Sequence, residues 1–211
     1  MCGRYAMKSN ERELRRKYPF LDDEYFDIHG PSKRREIFPG TLIFAINNAF
    51  KGEDIWWTIR DRGWDGKTIE AVNAKAETIE RLPLFRDAFK TDRVLIPATH
   101  LFEWQVQPDK SKLKYRIWFD EPIFAFAGIA RDCEIKGETR RSGAIITTTP
   151  NEKFKLIHNT RQRQAVVIRE ADYEKWLDPQ TKIDELKRLM RPLPDEATFF
   201  EIDRPELDEA A

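Results

Sequence analysis

The chain opens Met1-Cys2-Gly3-Arg4, and its second residue offers chemistry that no internal residue can. A small second residue is the usual condition for removal of the initiator methionine. A cysteine left at the chain end then carries an α-amine and a thiol on one residue. The amine condenses with an aldehyde to an imine, releasing water, and the sulfur closes onto the imine carbon to give a five-membered thiazolidine. Unperturbed, the amine titrates at about 7.7–8.0 and the thiol at about 8.5, so both are partly nucleophilic near neutral pH. Gly3 permits close backbone approach to a substrate, and Arg4 offers a planar fork for a phosphate. Alone, a cysteine at position 2 is explained by chance more often than by function.

Three further segments carry polar side chains where packing does not demand them. Val72-Asn73-Ala74-Lys75-Ala76-Glu77-Thr78 has only alanines between its polar residues and lacks the apolar alternation of a core strand. Asn73 can orient a reacting group and Lys75 can hold a phosphate; a turn asparagine and a surface lysine are the plainer readings. In Leu101-Phe102-Glu103-Trp104 a carboxylate sits between two aromatics. Burial there would raise its pKa and suit proton transfer, whereas a strand with alternating faces would leave Glu103 in water. His158, one of three histidines, follows an apolar segment read as a strand and precedes the basic stretch Asn159 to Arg163. It is a candidate proton shuttle or a histidine with no chemistry.

The elements that must position these residues are mostly strands. Thr41–Ile46, Ile55–Ile59, Val94–Ile96, Tyr115–Phe119, Ile123–Ile129, Ala144–Thr148, Ala165–Ile168 and Thr198–Ile202 carry alternating or continuous apolar runs punctuated by Gly and Pro. Helices are expected from an Asn10 cap to Tyr18, over Leu84–Phe89, and as a pair, Glu170–Leu177 and Thr181–Met190, broken at Asp178-Pro179. This order predicts one α+β domain with mainly antiparallel pairing, ending in a solvated acidic tail over 203–211. Cys133 falls in an expected hairpin and reads as incidental.

Composition narrows the classes. With 211 residues, 40% hydrophobic and 12% aromatic, the chain can bury a sizeable core. Its 37 basic and 37 acidic side chains cancel, so any affinity for nucleic acid must come from local clusters. Arg15-Arg16-Lys17, Lys33-Arg34-Arg35, Lys110 to Arg116, Arg140-Arg141 and Arg161/Arg163 are such clusters, each also readable as a solvated face. Two cysteines make no disulfide framework, and the polar first fifteen residues resemble no secretory signal. No apolar run reaches the roughly 18–20 residues of a membrane span. The expectation is a cytoplasmic protein in a reducing compartment, without a membrane partner. The Cys and His spacings match no zinc signature, and no Gly-rich phosphate loop is present, so neither metal nor cofactor is expected.

Taken in order, Met1-Cys2-Gly3-Arg4, Asn73 to Thr78, Phe102-Glu103-Trp104 and Ile157-His158 resemble the SOS-response-associated peptidase family of abasic-site processing proteins. Pro39-Gly40-Thr41 and Thr147–Thr149 add to the likeness, which spans residues 2 to about 168. The resemblance implies an α+β domain with twisted sheets around a central DNA-binding cleft and flanking helices. It also implies a thiazolidine crosslink between Cys2 and the ring-opened sugar of an abasic site in single-stranded DNA, shielding the lesion during the DNA-damage response. Met1 would be removed by Cys2-dependent self-processing, with lyase chemistry as a further activity. Carried over, Cys2 is the nucleophile, Asn73 positions it, Glu103 moves protons and His158 assists ring opening and reversal. Arg4, Pro39, Trp64, Lys75, Trp104, Thr147 and either Arg161 or Arg163 would contact the strand, the aromatics by stacking at about 1–3 kcal/mol per base. The family carries arginine where Lys75 stands, and the segment after His158 is longer here and lacks a proline. One cleft holding one crosslink implies a monomer. Two rival readings are an N-terminal-cysteine glutamine amidotransferase and a non-covalent single-strand-binding module.

Overall fold

The structure, a computed structural model, describes residues 2–21, 36–63, 65–135 and 137–204. Along the chain the strands are β1 (Tyr5–Ala6), β2 (Leu42–Ile46), β3 (Gly52–Trp57), β4 (Ile59–Arg62), β5 (Thr68–Ala71), β6 (Asn73–Lys75) and β7 (Arg93–Ala98). They continue as β8 (His100–Val106), β9 (Lys112–Phe119), β10 (Phe124–Ile135), β11 (Glu138–Thr148), β12 (Gln164–Ala165), β13 (Val167–Ile168) and β14 (Thr198–Ile202). The α-helices are α1 (Glu11–Lys17), α2 (Pro83–Thr91), α3 (Glu152–Ile157), α4 (Tyr173–Leu177) and α5 (Ile183–Leu189). The expected α+β class is therefore correct; most expected helices and strands are present with shifted ends, Ile55–Ile59 and Ala165–Ile168 are each split in two, and the segment before His158 is a helix.

Two sheets frame the molecule. In one, β1, β8, β9 and β14 pair antiparallel in that order. In the other, β11 pairs with both β3 and β10, so the path β11–β3–β2–β7–β10 returns to β11 and closes a small barrel. Closure removes edges that would otherwise be left unpaired. The barrel wall is tight: a Cβ on Gly143 would stand 2.5 Å from Ile55 Cδ1 and 2.9 Å from the Ile129 carbonyl oxygen. Tyr5 joins the two sheets, its ring edge-on to Trp57 at 5.3 Å and to Phe126 at 5.7 Å. That burial ties the N-terminal strand to the barrel core.

Local rules account for the helices that brace this frame. Asn10 caps α1 by accepting from the Glu13 N–H, while Glu13 accepts from the Asn10 N–H, a reciprocal capping box. Arg93, 1% exposed, donates to the carbonyls of Phe89 and Lys90 at the end of α2 and of Trp176 and Asp178 at the end of α4. One guanidinium thereby satisfies the orphan carbonyls of two helix ends. Burial lowers its pKa to about 10, against the opposing charge of Asp178.

Several expectations need correction. The run Ile55–Ile59 is two strands that part at Thr58. The polar segment after Val72 is a strand: β6 runs parallel to Ile145–Thr147, with Ala74 fully buried as its one inward residue. Three residues present a single inward side chain, so no alternation can be seen. The segment before His158 is helix α3, not a strand; Asn151 caps it and buried Phe154 and Ile157 lie on one face. Asp203 belongs to no solvated tail, because its N–H donates to the Lys114 carbonyl and its carboxylate pairs with Lys114 at 2.6 Å. Within the Arg140-Arg141 cluster, Arg141 pairs with Asp92 and Glu53. Trp64, Lys33 to Arg35 and residues 205–211 lie outside the described residues.

Candidate active site

The register of β1 on β8 brings the chain start to Glu103. Tyr5 faces Leu101, and the Phe102 N–H donates to the Arg4 carbonyl at 2.9 Å, so the chain before Arg4 lies beside Glu103 and Trp104. Barrel strand β11 supplies the other wall. Its last residues hold β6 on one side and β12 on the other, which places Asn73 beside Ile145 and Gln164 beside Thr148. Helix α3 is fixed to the end of β8 by three bonds. Gln105 Nε2 donates to the Leu156 carbonyl at 2.7 Å, Val106 N–H donates to Asn159 Oδ1, and Asn159 Nδ2 donates to the Val106 carbonyl. His158, the residue that ends α3, is thereby set against Glu103.

Cys2, Asn73, Glu103 and His158 converge. Asn73 Nδ2 donates to the Cys2 carbonyl at 3.0 Å and to the Ile145 carbonyl at 3.5 Å. The Cys2 thiol donates to the Arg163 carbonyl at 3.9 Å, and His158 Nδ1 donates to the same oxygen at 2.7 Å. That contact is shorter than the 3.4 Å between Nδ1 and the Arg163 N–H, so it sets the tautomer and leaves Nε2 as the acceptor. Nε2 faces Glu103 Oε2 at 3.8 Å. A donor atom from each of Cys2, Glu103 and His158 lies within 4.8 Å of the others. Sequence spacing gives no hint of this cluster, because the fold gathers it from residues 2, 103 and 158.

Burial sets the electrostatics. Glu103 is 3% exposed, and desolvation pushes its pKa up to about 7 against the opposing hydrogen bond from Cys2. Its Oε1 accepts no hydrogen bond among the described residues. The Cys2 thiol is pushed well above its ordinary value by burial first and by the Glu103 charge second. His158 is lowered by burial, partly offset by its bond to the Arg163 carbonyl. At neutral pH the site thus holds a thiol, a neutral imidazole and a carboxyl group poised to give or take a proton.

The other candidates divide. Arg4 stacks between Phe38 (4.3 Å) and Trp104 (4.8 Å) and pairs with Glu36 at 3.2 Å. Arg163 makes a bidentate pair with Glu77, both bonds 2.8 Å, and donates to the Thr147 carbonyl at 2.6 Å. Thr147 itself is buried, with its hydroxyl toward the Ala74 carbonyl. Lys75 and Arg161 are exposed, and Pro39 is half-buried beside Phe38 in the chain. Sequence reasoning placed Lys114 in the Lys110 to Arg116 cluster without singling it out; it bonds Glu36 and lies over the rings of Phe102 (4.3 Å) and Trp104 (5.9 Å). The hairpin turn at Pro108-Asp109 fixes the register that sets Lys114 opposite Trp104, and it was the available signal. Missed were Phe38, Glu36 and the clamp role of Glu77.

The sequence model of the SOS response associated peptidase (SRAP) family matches residues 1–204, and the chain belongs to that family. It is similar to the abasic site processing proteins YoqW and YoaM of Bacillus subtilis. Identity is 30% and 31% over 200 residues, covering 91% of this chain and 87% and 86% of theirs. It is also 23% identical to abasic site processing protein YedK of Escherichia coli over 84% of this chain and 79% of that protein. A crystal structure of a Bacteroides thetaiotaomicron protein superposes with a TM-score of 0.85 at 24% identity, covering all of this chain and 95% of that one, which supports the fold alone. Among the described residues no helix is long and apolar enough to cross a membrane.

Proposed function

We propose that this protein processes abasic sites in DNA by covalent capture through Cys2. The observation that carries the reading is the convergence of Cys2 Sγ, the Glu103 carboxylate and His158 Nε2 within 4.8 Å, with Asn73 holding the Cys2 carbonyl. The names of the curated relatives point the same way. Met1 leaves first in a Cys2-dependent cleavage, which frees the α-amine. The ring-opened sugar of the lesion presents an aldehyde; the amine attacks its carbon, and loss of water gives an imine. The thiol then adds across the C=N bond, sulfur to carbon and proton to nitrogen, closing the thiazolidine.

Glu103, near its midpoint at neutral pH, donates the proton that expels water. His158, neutral and tautomer-fixed by the Arg163 carbonyl, accepts the sugar hydroxyl proton during ring opening and returns it on reversal. Arg4 and Trp104, stacked on each other next to Cys2 and Glu103 in the chain, and exposed Lys75 on β6 hold single-stranded DNA by phosphate contact and base stacking. One chain acts on one lesion, in the cytoplasm. Incubation with an abasic single-stranded oligonucleotide followed by denaturing electrophoresis tests this. A heat-stable shifted band is expected, and its absence overturns covalent capture. Turnover of free glutamine would instead favour an amidotransferase.

A further inference from the structure

The same three donors have a geometry that serves a second ligand. A zinc-like ion takes thiolate sulfur at about 2.3 Å, imidazole nitrogen at about 2.0–2.1 Å and carboxylate oxygen at about 2.0–2.2 Å. Ligand atoms around a tetrahedral centre of that size stand about 3.5 Å apart. Here His158 Nε2 and Glu103 Oε2 are already 3.8 Å apart, and no pair among the three groups exceeds 4.8 Å. Closing by about an ångström is within side-chain reach.

Two independent details match a ligand set rather than a chance encounter. Metal-bound imidazoles characteristically donate their second ring N–H to a carbonyl or carboxylate, which fixes the coordinating nitrogen. His158 Nδ1 does this to the Arg163 carbonyl at 2.7 Å and turns Nε2 inward. Glu103 Oε1 is buried without a hydrogen bond among the described residues, an acceptor left available on a carboxylate that faces the sulfur. Sulfur and imidazole together select thiophilic ions over magnesium or calcium.

We propose that Cys2, Glu103 and His158 form a binding site for a zinc-class divalent cation, and that the bound ion reversibly blocks the reactive thiol. Binding forms the sulfur–metal bond and releases the thiol proton to solvent; no electron is transferred. Once Met1 is gone, the Cys2 amine can complete a five-membered chelate at the fourth position, which removes both nucleophiles at once. Metal and aldehyde then compete for the same two atoms. The inhibitory part of this proposal rests on the abasic-site reading; the ion site does not.

Cobalt(II) is the probe, added to the reduced protein without DNA. The parent should bind one equivalent, with a thiolate-to-cobalt charge-transfer band and the visible bands of a tetrahedral ion, and zinc should displace it. Cys2→Ser should lose the charge-transfer band, while Cys133→Ser should retain it. His158→Gln should weaken cobalt binding at least about ten-fold, since even outer-shell partners of a ligand are worth that much. Circular dichroism and thermal unfolding establish that each variant is folded. A parent without the band, or a band that follows Cys133 instead of Cys2, overturns the site. In a second arm, zinc should suppress the abasic-oligonucleotide adduct and a chelator should restore it. An adduct formed equally well with zinc bound overturns the inhibitory role. Because the cobalt titration holds no DNA, a parent that never captures the oligonucleotide refutes the abasic-site reading and leaves the ion site standing.

Discussion

His158 Nε2 lies 3.8 Å from Glu103 Oε2, with the two side chains 5% and 4% exposed. A neutral imidazole beside a carboxyl that titrates near neutrality can exchange a proton with it at little cost, in either direction. Both groups lie within 4.8 Å of the Cys2 sulfur, close enough to carry protons for the reactions proposed there.

Glu103→Gln should slow adduct formation by ~10²–10⁴-fold, the usual contribution of general acid–base catalysis. It should leave binding of intact single strands unchanged. Rates with an abasic oligonucleotide test this, and equal rates would remove Glu103 from the mechanism.

The same substitution should change the pH dependence of stability. The folded carboxyl titrates at about 7 and the unfolded one at about 4.3. Below the lower value both states hold the proton and the difference vanishes. Between the two, only the unfolded chain releases it, so stability falls as pH rises and the full cost is present above about 7. Urea unfolding should therefore show Glu103→Gln gaining on the parent by about 2–3 kcal/mol between pH 5 and pH 8, at 1.36 kcal/mol per unit. A gap independent of pH would refute the shift.

His158→Ala should slow release of a formed adduct at least as much as its formation, because both directions need the same proton transfers. The measurement is exchange of labelled abasic DNA against unlabelled competitor. Unaltered formation and exchange would leave His158 a structural residue.

A permanent extension ahead of Cys2 should leave single-strand affinity near that of the parent and abolish the heat-stable adduct, since an amide nitrogen forms no imine. Cys2→Ala with its amine free should still give an imine that borohydride traps. A stable adduct from the extended chain would sink the thiazolidine route.

Glu77→Gln should loosen the loop that presents the Arg163 carbonyl to both Cys2 and His158. Misplacement of this kind can cost up to about 10²-fold in rate, while single-strand binding should be no weaker, since the Arg163 guanidinium is released from a carboxylate. A rate equal to the parent's would mean the clamp does not position the site.

The sequence made Glu103 legible because two aromatics flank it, and Cys2 because of its place in the chain. The long strands showed themselves through alternation: β9 carries Tyr115, Ile117 and Phe119 on one face. The pairing of β6 with β11 left no local trace, since parallel partners 72 residues apart share no turn and three residues give no period. The helix before His158 was misread because Lys155-Leu156-Ile157 looks strand-like, although Leu156 is 62% exposed and only Phe154 and Ile157 face inward. Closure of the barrel depends on β11 having two neighbours, which no single-strand pattern encodes. Arg93 gave no signal, because its partners are carbonyls of residues on two helices.

The assembly of the site from residues 2, 73, 103 and 158 also orders events in time. Domains are made from the N-terminus at about 5–20 residues per second, so Cys2 is synthesised many seconds before the His158 that completes its surroundings. Its partner on β8 arrives about a hundred residues later, and the Arg163 carbonyl later still. A chain that stops short of position 163 therefore carries an ordinary thiol, with no fixed imidazole, no desolvated carboxyl and no clamp. Under the Cys2-dependent cleavage proposed above, Met1 stays on the chain until translation has passed through the whole barrel, and until then the nitrogen of Cys2 is an amide that cannot condense with a stray aldehyde.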